Sequence, residues 1–258
     1  KAAEAAGRAD FIVTKVSRRT LRPRPLPPFI TSTLQQESSR KLRFSVKRTM
    51  ALAQQLYEGV ELGRQGLVGL ITYMRTDSTR VANEAVAEVR DLIRKRYGEK
   101  YLPPSPVVYR SKKGAQDAHE AIRPTDVTRK PEYIRGSLTD EQFRLYELIW
   151  RRFVACQMTA AVWSTTEAII AADTPAGSAE LRALGRTLKF DGYLKVVGIP
   201  KSDDQTLPKL DAEMPVAPVQ IDPRQHFTQP PPRYTEASLV KALEADGIGR
   251  PSTYASII

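Results

Sequence analysis

The chain turns on residues 69–79, Gly69-Leu70-Ile71-Thr72-Tyr73-Met74-Arg75-Thr76-Asp77-Ser78-Thr79. Residues 69–72 are apolar or β-branched and predict a short strand. Side chains on an extended chain alternate between faces, so Tyr73 and Arg75 point the same way. That sets a guanidinium beside a phenol. A free phenol has a pKa near ~10 and is almost fully protonated at neutral pH. A fixed cation nearby favours phenolate and also holds a phosphate. The pair is what a tyrosine attacking a phosphodiester needs. A Tyr-x-Arg spacing alone is common, however, and a tyrosine at a strand end is more often a packing residue with its hydroxyl at the surface.

The longer string over residues 71–78, Ile-Thr-Tyr-Met-Arg-Thr-Asp-Ser, resembles the active-site segment of type IA DNA topoisomerases. Met74, between the Tyr and the Arg, resembles the bacterial topoisomerase I branch. The topoisomerase III branch usually carries Pro there, and reverse gyrase often another residue. The resemblance implies that Tyr73 forms a transient 5′-phosphotyrosine with one DNA strand.

A second dense stretch is Gln116-Asp117-Ala118-His119-Glu120-Ala121-Ile122-Arg123-Pro124-Thr125. It predicts a single helical turn ending at Pro124. An unperturbed imidazole titrates near ~6.5, so a neighbouring phosphate or carboxylate would hold His119 charged. On chemistry alone, a lone His is more often a hydrogen-bonded surface or core residue. Residues 119–125 again resemble the type IA family, where the matching His contacts the scissile region. Arg123 is a candidate phosphate ligand or, equally, a partner for Glu120.

The third stretch is Gly247-Ile248-Gly249-Arg250-Pro251-Ser252-Thr253-Tyr254, with a helix predicted to start at Pro251 or Ser252. Helix N-termini with exposed amides and a nearby Arg bind phosphate well. Arg250, Ser252 and Thr253 are therefore candidate single-strand contacts, although a Gly-x-Gly-x-Pro turn needs no ligand. The family resemblance continues to Ile258 and implies DNA here.

Composition narrows the classes. The chain has 258 residues, 41% of them apolar, which suits one large domain or two smaller ones. No apolar run reaches ~18 residues, so no membrane span is expected. Residues 1–10 lack the apolar centre of a signal peptide. The single cysteine, Cys156, excludes an internal disulfide or a multi-cysteine zinc site within the chain and reads as a small core residue. The net charge is +11, with Arg outnumbering Lys, and nucleic acid is the first polyanion to consider. An acidic membrane surface is the alternative, but the basic residues are spread over the chain rather than gathered on one amphipathic helix. There is no Gly-rich loop followed by Lys-Ser/Thr, so ATP chemistry is not indicated. No metal-ligand spacing appears.

Along the chain, residues 11–16 predict a strand and 22–28 a stiff proline-rich connector. Thr31 or Ser32 is expected to cap a helix, and Ser45 the next. That second helix has an apolar stripe at Val46, Met50, Ala53 and Tyr57, ending at Gly59 and Gly63. Val86, Val89, Ile93 and Tyr97 mark another helix, closed by Gly98 as a left-handed cap. Residues 103–114 form a proline-rich, charged loop. Thr139-Asp140-Glu141-Gln142 is a capping box opening a long helix. Strands are predicted at 165–171 and 179–185 around a Pro175-Ala176-Gly177 turn, then beyond a turn at 190–194, and at 215–221. Ser202-Asp203-Asp204 reads as the most solvated part of a polar segment. Thr235 caps a helix stopping at Gly247.

The expected class is α+β. A mainly helical tyrosine-bearing domain (28–160) is inserted in a small antiparallel β arch (1–27 and 161–229), followed by the start of a second helical, DNA-binding domain (230–258). The resemblance runs from about Phe11 to the last residue and implies a central fragment of a bacterial type IA enzyme. In that reading Tyr73 is the nucleophile, Arg75 orients the scissile phosphate or stabilises its charge, and His119 holds a neighbouring phosphate. Asp77 would position Arg75 or Arg123. One strand is cut and rejoined to relax negative supercoils, and the phosphotyrosine conserves the bond, so no ATP is required. The family's Mg²⁺ is implied to sit on an amino-terminal domain with an Asp-x-Asp cluster that this chain lacks. Single-stranded DNA and the missing domains of the same polypeptide are the implied partners, with a cytoplasmic, nucleoid-associated bacterial location. The isolated chain is expected to be inactive in relaxation. The competing readings are a non-catalytic single-stranded nucleic-acid-binding module, or a topoisomerase III or reverse gyrase relative. A tyrosine recombinase or type IB enzyme would place its Tyr late, after distributed Arg and His residues, which is not the order here.

Overall fold

The strand that begins at Phe11 runs further than propensity predicts. After a short alanine-rich helix, α1 (Ala2–Ala6), strand β1 covers Phe11–Leu21. The computed structural model describes residues 2–109, 119–175, 177–200 and 206–258. Residues 110–114 of the predicted charged loop, 116–118 of the predicted helical turn, Ala176 and Ser202-Asp203-Asp204 lie outside the described residues. The elements that follow β1 are α2 (Thr31–Glu37), a π turn (Ser38–Leu42) and α3 (Val46–Glu58). Then come β2 (Val60–Glu61), β3 (Leu67–Val68), α4 (Asn83–Tyr97), α5 (Pro131–Ile134) and α6 (Asp140–Cys156). The chain continues through β4 (Val162–Thr174), β5 (Gly177–Phe190), α7 (Leu194–Val197), β6 (Pro215–Val216), α8 (Glu236–Ala245) and α9 (Tyr254–Ile257). Mixed helix and strand with an antiparallel sheet agrees with the α+β expectation.

Contacts divide these elements into two units. The first comprises Lys1–Pro23, Ala160–Gly192 and Ile199–Pro231. It holds one antiparallel sheet in the order β5-β4-β1-β6. β1 pairs with β4 from Phe11↔Ala172 to Leu21↔Trp163, with an irregularity between Val13 and Lys15. Val13, Ala168 and Leu210 form its buried cluster, with Val16, Ile170 and Ala183 packed against them. β4 and β5 are longer than predicted because ladder pairing carries the chain through residues such as Glu180, Arg182 and Arg186. β6 is shorter than the predicted 215–221, and Pro218 offers no donor to extend it. The turn at 190–194 leads into α7 rather than a strand.

The second unit comprises Arg24–Thr159, Tyr193–Gly198 and Pro232–Ile258. Its helices begin where local chemistry places them. The Ser45 hydroxyl accepts from Arg48 N at 3.1 Å, and Thr235 Oγ1 accepts from Ser238 N at 3.2 Å. The box at Thr139 is complete: its Oγ1 accepts from Gln142 N, and Gln142 Oε1 accepts from Thr139 N. α2 departs from expectation, because Ile30 is its N-cap and Thr33 Oγ1 accepts from Ile30 N at 3.0 Å. Thr31, read as a cap, turns inward instead. Gly98 has φ +94° but an extended ψ, so it ends α4 with a positive φ and not as a left-handed residue. Leu52 and Leu56 of α3, Ile93 of α4, and Tyr146, Ile149 and Phe153 of α6 are buried. Cys156 is buried among them, and burial pushes its thiol up to about 12, as suits a core residue. Among the described residues no helix is long and apolar enough to cross a membrane.

Candidate active site

Hydrogen bonds to a helix end and two loops hold the chain around Tyr73. The predicted strand at 69–72 does not form: only an isolated bridge, Ile71↔Pro124, marks it, and the true strand β3 ends at Val68. The reason is where the main-chain groups go. Leu70 N donates to Leu56 O at the end of α3, Thr125 N donates to Leu70 O, and Thr72 N donates to Arg123 O. The last two bonds make up that single antiparallel bridge, but Leu70 N is turned to the end of α3 and Pro124 has no N–H to donate, so pairing does not extend into a ladder. The predicted helical turn before Pro124 does not appear over 119–124 either. There the chain is extended, with Ala121 N donating to Arg80 O and Ile122 N to Phe29 O.

Two threonines lock the segment on either side of Tyr73. Thr72 Oγ1 donates to Ala121 O at 2.7 Å and accepts from Arg123 N at 3.0 Å. Thr31 Oγ1 lies 2.7 Å from Met74 O and 3.0 Å from Thr76 O, and accepts from Thr76 N at 2.8 Å. Leu70, Ile71, Met74, Thr76 and Ser78 are buried, while Tyr73 is 39% exposed and Arg75 is exposed. The alternation predicted for a strand thus persists in an irregular segment.

The Tyr73 ring touches two others. Tyr57, from the last turn of α3, meets it with centroids 5.4 Å apart and planes at 67°. His119 lies on it at 6.0 Å and 59°. Among the described residues, the Tyr73 hydroxyl makes no hydrogen bond and Arg75 makes no ion pair or hydrogen bond. The structure thus brings the Tyr73 and His119 rings together, and among the described residues no hydrogen bond, ion pair or ring contact joins Arg75 to either.

Arg123 is differently placed. Its Nε donates to Glu120 Oε2 at 2.8 Å and an Nη donates to Pro124 O at 3.0 Å, with the side chain only 14% exposed. The Glu120 pairing is the one found. Asp77 pairs with neither Arg75 nor Arg123 among the described residues. At the carboxy-terminal stretch, Arg250 N donates to Thr253 Oγ1, and Thr253 N and Tyr254 N both donate to Arg250 O. The turn therefore uses the amides that the sequence offered to phosphate. The Arg250 guanidinium and Ser252 stay exposed. No hydrogen bond, ion pair or ring contact among the described residues joins 250–253 to Tyr73, Arg75 or His119.

Sequence alone does not reveal Tyr57 or Thr31 as neighbours of Tyr73. Tyr57 reads as the end of a core stripe, yet it is 41% exposed because the buried face of α3 runs through Thr49, Leu52, Ala53 and Leu56 and leaves Tyr57 beside it. The signal that points to it is glycine: a Cβ on Gly69 would lie 2.7 Å from Tyr57 O. Among the described residues no three of His, Cys, Asp and Glu converge as metal ligands.

A family model described as DNA topoisomerase matches residues 1–258. DNA topoisomerase 1 of Rickettsia felis is 50% identical over 255 residues, which are 96% of this chain and 32% of that protein. DNA topoisomerase 1 of Rickettsia conorii is 50% identical over 254 residues, with 96% and 32% covered. The solved full-length topoisomerase I from Thermotoga maritima matches with a TM-score of 0.86 and 41% identity, covering 99% of this chain and 41% of that one. The chain spans about a third of the length of the curated relatives it matches. Alike in sequence to those relatives along nearly its whole length, and in fold to the solved enzyme, the chain belongs to the bacterial DNA topoisomerase I family.

Proposed function

We propose that this chain is the nucleophile-bearing part of a type IA DNA topoisomerase. The Tyr73 oxygen attacks the phosphorus of one phosphodiester in a single-stranded region. The bond from phosphorus to the 3′ oxygen breaks, the Tyr73 proton is lost, and the departing strand end leaves as a 3′ hydroxyl. Tyr73 then carries the 5′ phosphate. In resealing, that hydroxyl attacks the phosphotyrosine and returns the phenol. One phosphodiester is exchanged for another, so the cycle needs no nucleotide.

Arg75 neutralises charge that builds on the phosphate oxygens during attack. His119, against the phenol ring, offers a second polar group to the same phosphate. Arg250, Ser252 and Thr253 contact the single strand further along, whereas Arg123 supports the 120–125 segment through Glu120. The helical segment between β1 and β4 is the tyrosine domain, the sheet is the arch joining it to the rest of a ring-shaped enzyme, and α8 with α9 begins a further DNA-binding domain. The location is the bacterial cytoplasm, at the nucleoid.

The observation that carries this reading is the open, unbonded Tyr73 phenol on a segment pinned at Thr72, Met74 and Thr76. The test uses the full-length polypeptide and a single-stranded oligonucleotide labelled at one end or the other, denatured rapidly after mixing. A covalent adduct that retains the 3′-end label, and none at all with Tyr73→Phe, is the expected result. An adduct that survives Tyr73→Phe, or one that retains the 5′-end label, overturns it.

A further inference from the structure

A tyrosine with an exposed ring is ordinarily free to rotate, but Tyr73 has the rings of Tyr57 and His119 against it. We propose that Tyr57 is a positioning residue for the Tyr73 nucleophile: its ring, edge-to-face on the Tyr73 ring, confines the phenol to the orientation that meets the scissile phosphate. This rests on the reading of Tyr73 as nucleophile.

Three observations support it. The pair geometry, 5.4 Å between centroids and planes at 67°, is the arrangement that the quadrupoles of two rings favour. Tyr57 is 41% exposed and its hydroxyl makes no hydrogen bond among the described residues, so neither core filling nor a polar tether explains it. Its backbone, in contrast, is firmly mounted. Leu56 O accepts from Leu70 N at 2.7 Å, and Gly59 N donates to Gln55 O at 3.0 Å.

Two glycines make that mount possible. A Cβ on Gly69 would fall 2.7 Å from Tyr57 O. One on Gly59, at φ +133°, would fall 2.7 Å from Leu67 Cγ. The end of α3 can therefore approach the chain that leads into Tyr73, and the ring it carries lies against the Tyr73 ring where the phenol is exposed. Attack on phosphorus requires the phenol oxygen in line with the leaving oxygen, and restricting the ring beforehand lowers the entropy lost in reaching that geometry. The His119 ring also lies against it, with centroids 6.0 Å apart.

The experiment is single-turnover cleavage of a labelled single-stranded oligonucleotide by the full-length polypeptide at saturating DNA, with DNA affinity measured alongside. Tyr57→Ala and Tyr57→Leu are expected to cleave about two- to tenfold more slowly with unchanged affinity, while Tyr57→Phe restores the rate to within about twofold. Parental rates in Tyr57→Ala and Tyr57→Leu overturn the proposal. So does a loss of affinity in step with the rate, which would make the ring a DNA contact, or a Tyr57→Phe variant as slow as Tyr57→Ala. Tyr73→Phe separates the two readings. An adduct in that variant removes the nucleophile assignment itself. Its absence, beside parental cleavage in Tyr57→Ala, removes only the role of Tyr57.

Discussion

One hydroxyl, that of Thr31, serves two carbonyls and one amide of the segment behind Tyr73. It is fully buried, so water cannot replace it. Removing it strands the Thr76 N–H in the interior, and an unpaired buried donor costs more than a hydrogen bond gains. Thr31→Val, nearly the same shape, is expected to lower the unfolding free energy by about 1–3 kcal/mol, and Thr31→Ser to restore most of it. Urea denaturation of the two variants checks this, and equal stability of Thr31→Val and the parent would contradict it. At this scale the sequence is only half legible. Tyr73, Arg75 and His119 stand out because they lie in dense strings whose chemistry suits a phosphate. Thr31 and Tyr57 do not, because helical periodicity assigns a residue to a face and says nothing about what that face meets. The Arg123 alternatives also needed three dimensions, since a guanidinium with Glu120 three residues before it has both partners within reach on paper.

Elements that depend on neighbouring residues were readable, and those that depend on distant ones were not. Ser45, Thr139 and Thr235 cap their helices as expected because cap and amide lie three residues apart. Residues 69–72 have strand composition, but their main-chain partners are Leu56, Arg123 and Thr125, and no ladder results. The lengths of β4 and β5 likewise follow from pairing rather than from propensity. The meeting of α3 with residues 69–70 gives a direct test of this tertiary control. A methyl on Gly69 would sit 2.7 Å from the Tyr57 carbonyl oxygen, closer than real contacts allow, and the obstacle is backbone. Gly69→Ala is therefore expected to destabilise by about 1–3 kcal/mol. Gly136→Ala, where nothing lies within 4 Å, should stay within about 0.5 kcal/mol of the parent. Thermal or chemical melts of the pair decide the matter, and equal costs at the two sites would mean that the approach of α3 is not the constraint.

Over the whole molecule the count of 40 Lys and Arg overstates what is available to a polyanion. Arg94 pairs with Asp91 and Glu99, Lys95 with Asp91, Arg96 with Glu132, Arg129 with Asp126, and Arg151 with Glu147. Exposed pairs of this kind add little stability, but a cation already facing a carboxylate releases fewer counterions when a phosphate arrives. Arg75 and Arg250 are exposed and have no acidic partner among the described residues. The two groups should separate in the salt dependence of single-stranded DNA binding by the full-length polypeptide. Each phosphate neutralised on a single strand contributes about −0.7 to the slope of log affinity against log salt. The double variant Arg75→Gln with Arg250→Gln is expected to make that slope shallower by about 1.4, whereas Arg94→Gln with Lys95→Gln should change it by less than about 0.3. Equal changes in the two double variants would show that affinity follows total charge and not whether a cation already faces a carboxylate.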